Sequence, residues 1–244
     1  MYYINKQSGF TLVEIAIVLV IIGLLLGGIL KGQELINSAR VRNLADQNSG
    51  IQAAYFGFID RYRQVPGDMD ATAACEAIGV SNFAGANNDC ANVVGGDAGG
   101  SLADNGAGPA HFGEASALWA HLSAAGFIQG AYEGGATTAA TYVNTTDIIT
   151  PVNAFNGRVM LTRTDEFVGG VAARLVFVFG SQIPVSIMRE LDVKVDDSFP
   201  DSGVLRHTFG FAVGDVSEST ALCVTGTIWN IDGDIQNCNA VYIY

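Results

Sequence analysis

Proline is scarce in this chain: 244 residues hold five, and none precedes Pro66. A helix that begins near the N-terminus therefore meets no residue that would break its hydrogen-bond ladder before that point. Positive charge is also in short supply. Twelve Lys and Arg stand against 24 Asp and Glu, a formal net charge of −12. That balance excludes nucleic-acid or anionic-lipid binding through bulk electrostatics. Catalytic signatures are missing as well. There is no G-x-S-x-G, no G-K-[ST] after the Gly95-Gly96 and Gly99-Gly100 pairs, and no C-x-x-C or H-x-x-x-H spacing. His111, Glu114 and His121 are residue types that bind metals, but their spacing matches no recognised site. The expectation is a protein that is not an enzyme and needs no cofactor.

Long apolar runs are absent too, with one exception. Residues 10–30 form 21 positions whose only charge is Glu14. About 20 residues at 1.5 Å rise span a bilayer core, so this segment is long enough to cross one. It is too long for the apolar region of a cleaved secretory signal, and Ile29-Leu30-Lys31-Gly32 makes a poor cleavage site for one. Glu14 is the anomaly, because a carboxylate inside a membrane helix costs about 2.5–3.5 kcal/mol on insertion scales.

The rest of the chain is a different material. It carries the other acidic residues, is rich in Gly, Ala, Asn, Asp and Thr, and is long enough to bury a core. Four cysteines, 75, 90, 223 and 238, permit three disulfide connectivities. Their matched separation of fifteen favours Cys75–Cys90 and Cys223–Cys238, and disulfides imply an oxidising compartment.

The stretch Lys6-Gln7-Ser8-Gly9-Phe10-Thr11-Leu12-Val13-Glu14 resembles the processing signal of type IV pilins and type II secretion pseudopilins. The resemblance is strongest over residues 6–30. It implies a leader, residues 1–9, that prepilin peptidase removes between Gly9 and Phe10 before methylating the new N-terminus at Phe10. It also implies that Phe10 and Glu14 act in assembly, where the acid meets the new amine of a neighbouring pilin subunit. The site implied is the bacterial inner membrane with a periplasmic head domain, followed by a pilus or pseudopilus filament. The chain departs from the family in one respect: Lys31 stands where many members place a proline. Gly23, Gly27, Gly28 and Gly32 weaken that stretch instead, at about 1 kcal/mol each relative to Ala. Val65-Pro66-Gly67-Asp68 together with the Leu118-Trp119-Ala120-His121-Leu122 helix is similar, more loosely, to a minor-pilin-like subgroup. A signal-anchored periplasmic binding module that never polymerises is the alternative.

Beyond Lys31, Val41, Leu44, Asn48, Ile51, Tyr55, Phe58 and Tyr62 recur at alternating steps of 3 and 4, one stripe of a helix. The expected organisation is a leader over 1–9, an apolar helix over 10–30, its amphipathic continuation over 31–63 and a head over 64–244. Residues 64–112 read as a long loop, and 112–126 as a helix. Strands are expected at 155–164, 171–179, 205–213 and 240–244, with a helical turn or two at 184–191. The fold class is α+β: a long helix whose second half packs on an antiparallel sheet. Two acidic clusters, one of Asp192, Asp196, Asp197 and Asp201 around Lys194 and one of Asp232 with Asp234, hold the oxygen donors calcium prefers. EF-hand spacing is absent, and acidic turns are most often simply solvated.

Overall fold

The computed structural model describes residues 11–103, 109–143, 148–208, 221–233 and 235–244. Helix α1 runs Leu12–Tyr62, close to the expected bounds. Arg61 in its last turn complements the helix dipole. Arg63 then adopts a left-handed φ of 58° while its N–H still bonds Ile59 O, and Pro66 follows, a C-terminal stop of the usual kind. By its contacts the chain divides into two units, Met1–Arg40 and Val41–Tyr244.

In the second unit the stripe on α1 is buried as its spacing requires. Val41, Leu44, Asn48, Ile51, Tyr55 and Phe58 lie inside, and Tyr62 is half-buried. Asn48 is the polar member. Its side-chain oxygen accepts the hydroxyl of Tyr244 at 2.5 Å, so the last residue of the chain pins the helix. Helix α3, Pro109–Ala124, packs against the sheet and shares one core with α1, Phe58 stacking on the His121 ring at 6.2 Å. Trp119 is fully buried, and its indole N–H donates to Tyr142 Oη at 2.7 Å. Tyr142 closes α4, Ala139–Tyr142, and its hydroxyl in turn donates to Val159 O. A buried indole and phenol are thereby satisfied in series.

The segment expected to be a bare loop is partly helical. Asp70 caps α2, Ala71–Ala74, by accepting from Thr72 and Ala73 N–H. A π-helical turn, Cys75–Gly79, and two 3-10 turns, Val80–Asn82 and Cys90–Asn92, follow. Propensity gives little sign of such short turns; the Cys75–Cys90 bridge and packing hold them. The glycines near residue 95 have a packing reason. Cβ atoms on Gly95 and Gly96 would collide with the backbone of Ala71 and Asp68, whose segment they hydrogen-bond.

Strands β1, Met160–Thr164, and β2, Arg174–Val178, pair antiparallel, Leu161 opposite Phe177. Helix α5 spans Val185–Val195, longer than the turn or two expected. Strand β3 is Leu205–His207, and residues 209–213 of the expected strand lie outside the described residues. A two-stranded hairpin, β4 Val224–Thr225 and β5 Ile228–Trp229, sits inside the second cysteine loop, which Cys223–Cys238 closes. Strand β6, Ala240–Ile243, inserts between β2 and β3, giving the antiparallel order β1-β2-β6-β3. The architecture is a long apolar N-terminal helix followed by a small antiparallel sheet with helices.

Candidate functional site

The N-terminal segment carries the strongest sequence signal. Gly9 and Phe10 lie outside the described residues, which begin at Thr11. Thr11 and Glu14 form a reciprocal cap at the start of α1. Thr11 N–H and its hydroxyl both donate to Glu14 Oε2 at 2.8 Å, and Glu14 N–H donates back to Thr11 Oγ1 at 3.2 Å. This is a T-x-x-E capping box, a pattern carried by residues three apart in the sequence. It gives Glu14 a local role: its carboxylate accepts the Thr11 N–H and hydroxyl, while Thr11 Oγ1 satisfies the Glu14 N–H, which would otherwise be orphaned.

The residues after it have no cover. None of residues 11–40 is buried, with Leu12 91% and Leu24 74% exposed. An 18-residue window within α1 reaches a mean hydropathy of 2.8, apolar and long enough to cross a membrane. A Cβ added at Gly23, Gly27, Gly28 or Gly32 would meet nothing within 4 Å. Inside this chain, then, no contact requires those four glycines.

The acidic residues singled out for calcium divide. Asp196 and Asp197 come together with Asp192, their carboxylate oxygens within 4.8 Å of one another. Asp201 and Asp232 join no such group among the described residues, and Asp234 lies outside them. Each of the three already accepts two hydrogen bonds. Asp196 accepts from Val204 and Leu205 N–H, and Asp197 from Phe199 N–H and the Ser202 hydroxyl. Asp192 is fully buried and accepts from Trp229 Nε1 at 2.6 Å and Ser198 N–H at 3.2 Å. The second cysteine loop reaches this cluster with Trp229, and among the described residues with no carboxylate. Burial pushes the Asp192 carboxyl up to about 6 against the pull of those hydrogen bonds.

His111, Glu114 and His121 do not assemble as a metal triad. Glu114 gathers instead with Asp68 and Asp97. Asp68 accepts from Gly99 and Gly100 N–H, and Glu114 from Ala103 N–H at 2.6 Å, so these acids hold the glycine-rich segment in place. His121 is fully buried. Its Nδ1 accepts Gly67 N–H at 3.0 Å, so Nε2 carries the proton and donates to Val94 O at 2.9 Å. Both ring nitrogens are engaged in joining two loops to α3, and burial lowers its pKa to about 4.

Residues 4–30 match the family model for the prokaryotic N-terminal methylation motif. No curated protein and no solved structure matches the chain. The N-terminus, with its capped and uncovered apolar helix, thus carries the prokaryotic N-terminal methylation motif, the signature of prepilin-type signals in type IV pilins and pseudopilins.

Proposed function

We propose that this chain is a structural subunit of a type IV pilus-like or type II secretion pseudopilus filament. In this reading prepilin peptidase cuts between Gly9 and Phe10 and methylates Phe10. The apolar helix holds the subunit in the inner membrane, head domain in the periplasm, until neighbouring subunits replace lipid around it. The supporting observation is the methylation motif over residues 4–30 leading into a helix with no buried residue before Val41. A side-chain stripe left bare by its own chain needs lipid or other helices as its environment.

Glu14 then has two successive partners. Before assembly the capping box satisfies its carboxylate and lowers the cost of holding an acid in an apolar segment. Cleavage creates an amine on Phe10, next to the cap. When the amine of a neighbouring subunit arrives, a cation in low dielectric attracts Glu14 more strongly than the Thr11 hydroxyl does. Assembly, rather than folding of the head, becomes the step that depends on the charge.

The test compares wild type, Gly9→Val and Glu14→Ala by N-terminal sequencing and by the ratio of sheared-filament to membrane-pool protein. Gly9→Val is expected to stay full length in the membrane. Glu14→Ala is expected to be cleaved normally, keep both disulfides, and lose at least tenfold in filament incorporation. A wild-type protein that retains residues 1–9 would put the non-polymerising anchored module ahead.

A further inference from the structure

The connection from β1 to β2, residues 165–173, crosses the end of the sheet instead of turning back tightly. β2 and β6 separate β1 from β3 in the strand order, yet this loop reaches β3. Phe167 bridges Thr208, Val168 N–H donates to His207 O at 3.0 Å, and the Thr208 hydroxyl donates to Glu166 O at 2.8 Å. Between loop and sheet end lies a half-enclosed cavity of about 250 Å³, whose walls include Phe167, Val171, Arg174, Val204, Arg206 and Ile243.

Two guanidinium groups face this space. Arg206 is held from behind: Nε donates to Gly203 O at 2.9 Å, Nη1 to Val168 O at 3.3 Å, and the group lies 5.9 Å from the Phe167 ring centroid. These contacts leave Nη2 without an acceptor among the described residues. Arg174 opens β2, is exposed, and its side chain makes no hydrogen bond or ion pair among the described residues. Among the described residues no carboxylate lines the cavity. Asp196 and Asp197 on the neighbouring turn are directed to backbone N–H groups and the Ser202 hydroxyl. On a chain of net charge −12, two arginines in one cavity are an exception to the surrounding field; Asp197 offsets Arg206 in part, and Arg174 has no ion pair among the described residues.

The chemistry of the walls narrows the occupant. A guanidinium presents paired donors that match a carboxylate; Arg174 offers such a fork, and Arg206 adds its Nη2. Val171, Val204 and Ile243 offer apolar surface to a short carbon stem. The volume is below the range that drug-sized ligands occupy, about 300–1,000 Å³. We infer that this cavity binds a carboxylate carried on a short aliphatic stem. Two sources have that chemistry: a free small dicarboxylic acid, or an acidic side chain of a second copy of this chain. The inference stands whether or not the filament reading does.

The test uses the full chain in neutral detergent at low ionic strength, titrated calorimetrically with glutarate, with its uncharged analogue glutaramide, and with inorganic phosphate. Glutarate is expected to bind saturably at one site, and glutaramide at least tenfold more weakly. Arg174→Gln should weaken glutarate at least tenfold, and Arg174→Lys less. Arg174 is the side chain to change because it is exposed and bonded to nothing described, so its loss leaves the fold intact. Sedimentation of wild type and Arg174→Gln across protein concentration separates the sources. Self-association that glutarate disperses and Arg174→Gln abolishes assigns the acid to a second copy. Glutarate binding with no Arg174-dependent self-association assigns a free acid. Glutarate binding that ignores Arg174→Gln, or is no stronger than glutaramide, overturns the site, and tighter binding of phosphate overturns the carboxylate assignment.

Discussion

The two units of this chain use the same apolar residue types to opposite ends. In residues 11–40 the Leu, Ile and Val side chains all stand exposed, whereas in 41–244 Leu44, Leu118, Leu122, Val159 and Ile183 have no accessible surface. Composition does not separate these cases; periodicity does. Around residues 12–30 apolar side chains cover every face of the helix, so no single partner surface inside one chain buries them all. From Val41 onward they recur on one stripe, and one core suffices. Within the chain the first unit leaves its apolar surface bare, whereas the second buries its own.

Paired truncations give the largest expected contrast. Trp119→Ala removes a fully buried side chain and leaves Tyr142 Oη without its donor. It should cost about 3–5 kcal/mol in denaturant unfolding of the detergent-solubilised chain. Leu19→Ala, at a position 64% exposed, should leave the same transition unmoved. A matching loss in both variants would erase the distinction between the units.

The disulfides stabilise only the second unit. Cys223→Ser together with Cys238→Ser opens a loop of sequence separation 15 and should lower head stability by about 3 kcal/mol. Fluorescence of Trp229, inside that loop, is the expected first reporter. The helicity of the N-terminal segment should not change.

Acid distinguishes the units next, because the described buried histidines are all in the head. His121 and His207 titrate near 4 when folded, against 6.5 when free, since burial disfavours the charged ring. Below pH 6.5 the unfolded chain therefore takes up protons that the folded chain does not. Stability falls as pH drops from about 6.5 to 4, on the order of 3 kcal/mol per ring at the limit. Asp192 works in the other direction. Its folded pKa of about 6 lies above the free value of 3.8, so its contribution rises as pH falls through that window. Asp192→Asn should steepen the acid loss, and a Tm-against-pH profile parallel to wild type would rule out this assignment.

The smallest effect sharpens the first unit. Thr11→Ala removes the cap hydroxyl and should destabilise the first turn of α1 by about 1 kcal/mol. Faster amide exchange at residues 12–14, with an unchanged head transition, is the expected record.

Much of the architecture was legible because its causes are local. The proline-free helix, the 3–4 stripe from Val41 to Tyr62, the helix around Trp119 and both cysteine pairings follow from neighbours within a turn or within fifteen positions. The T-x-x-E box is equally local, its two residues lying one helical turn apart. The turns between Ala71 and Asn92 were not legible, since single helical turns lack a period to detect. The grouping of Asp192 with Asp196 and Asp197 was legible in part, since Asp196 and Asp197 take their N–H donors from the turn that follows, whereas the Trp229 indole that Asp192 accepts lies 37 residues away.

By itself the sequence determined that this chain has a membrane-length N-terminal helix carrying a methylation motif, a disulfide-bonded α+β head and a one-sided helix entering it. Each of these depends on residue order over short spans. Only the tertiary structure decided that β6 enters between β2 and β3, that His121 joins Gly67 to Val94, and that Arg174 and Arg206 face one cavity. Those arrangements pair groups tens of residues apart, where loop closure and packing choose among many partners and leave no periodic trace in the chain.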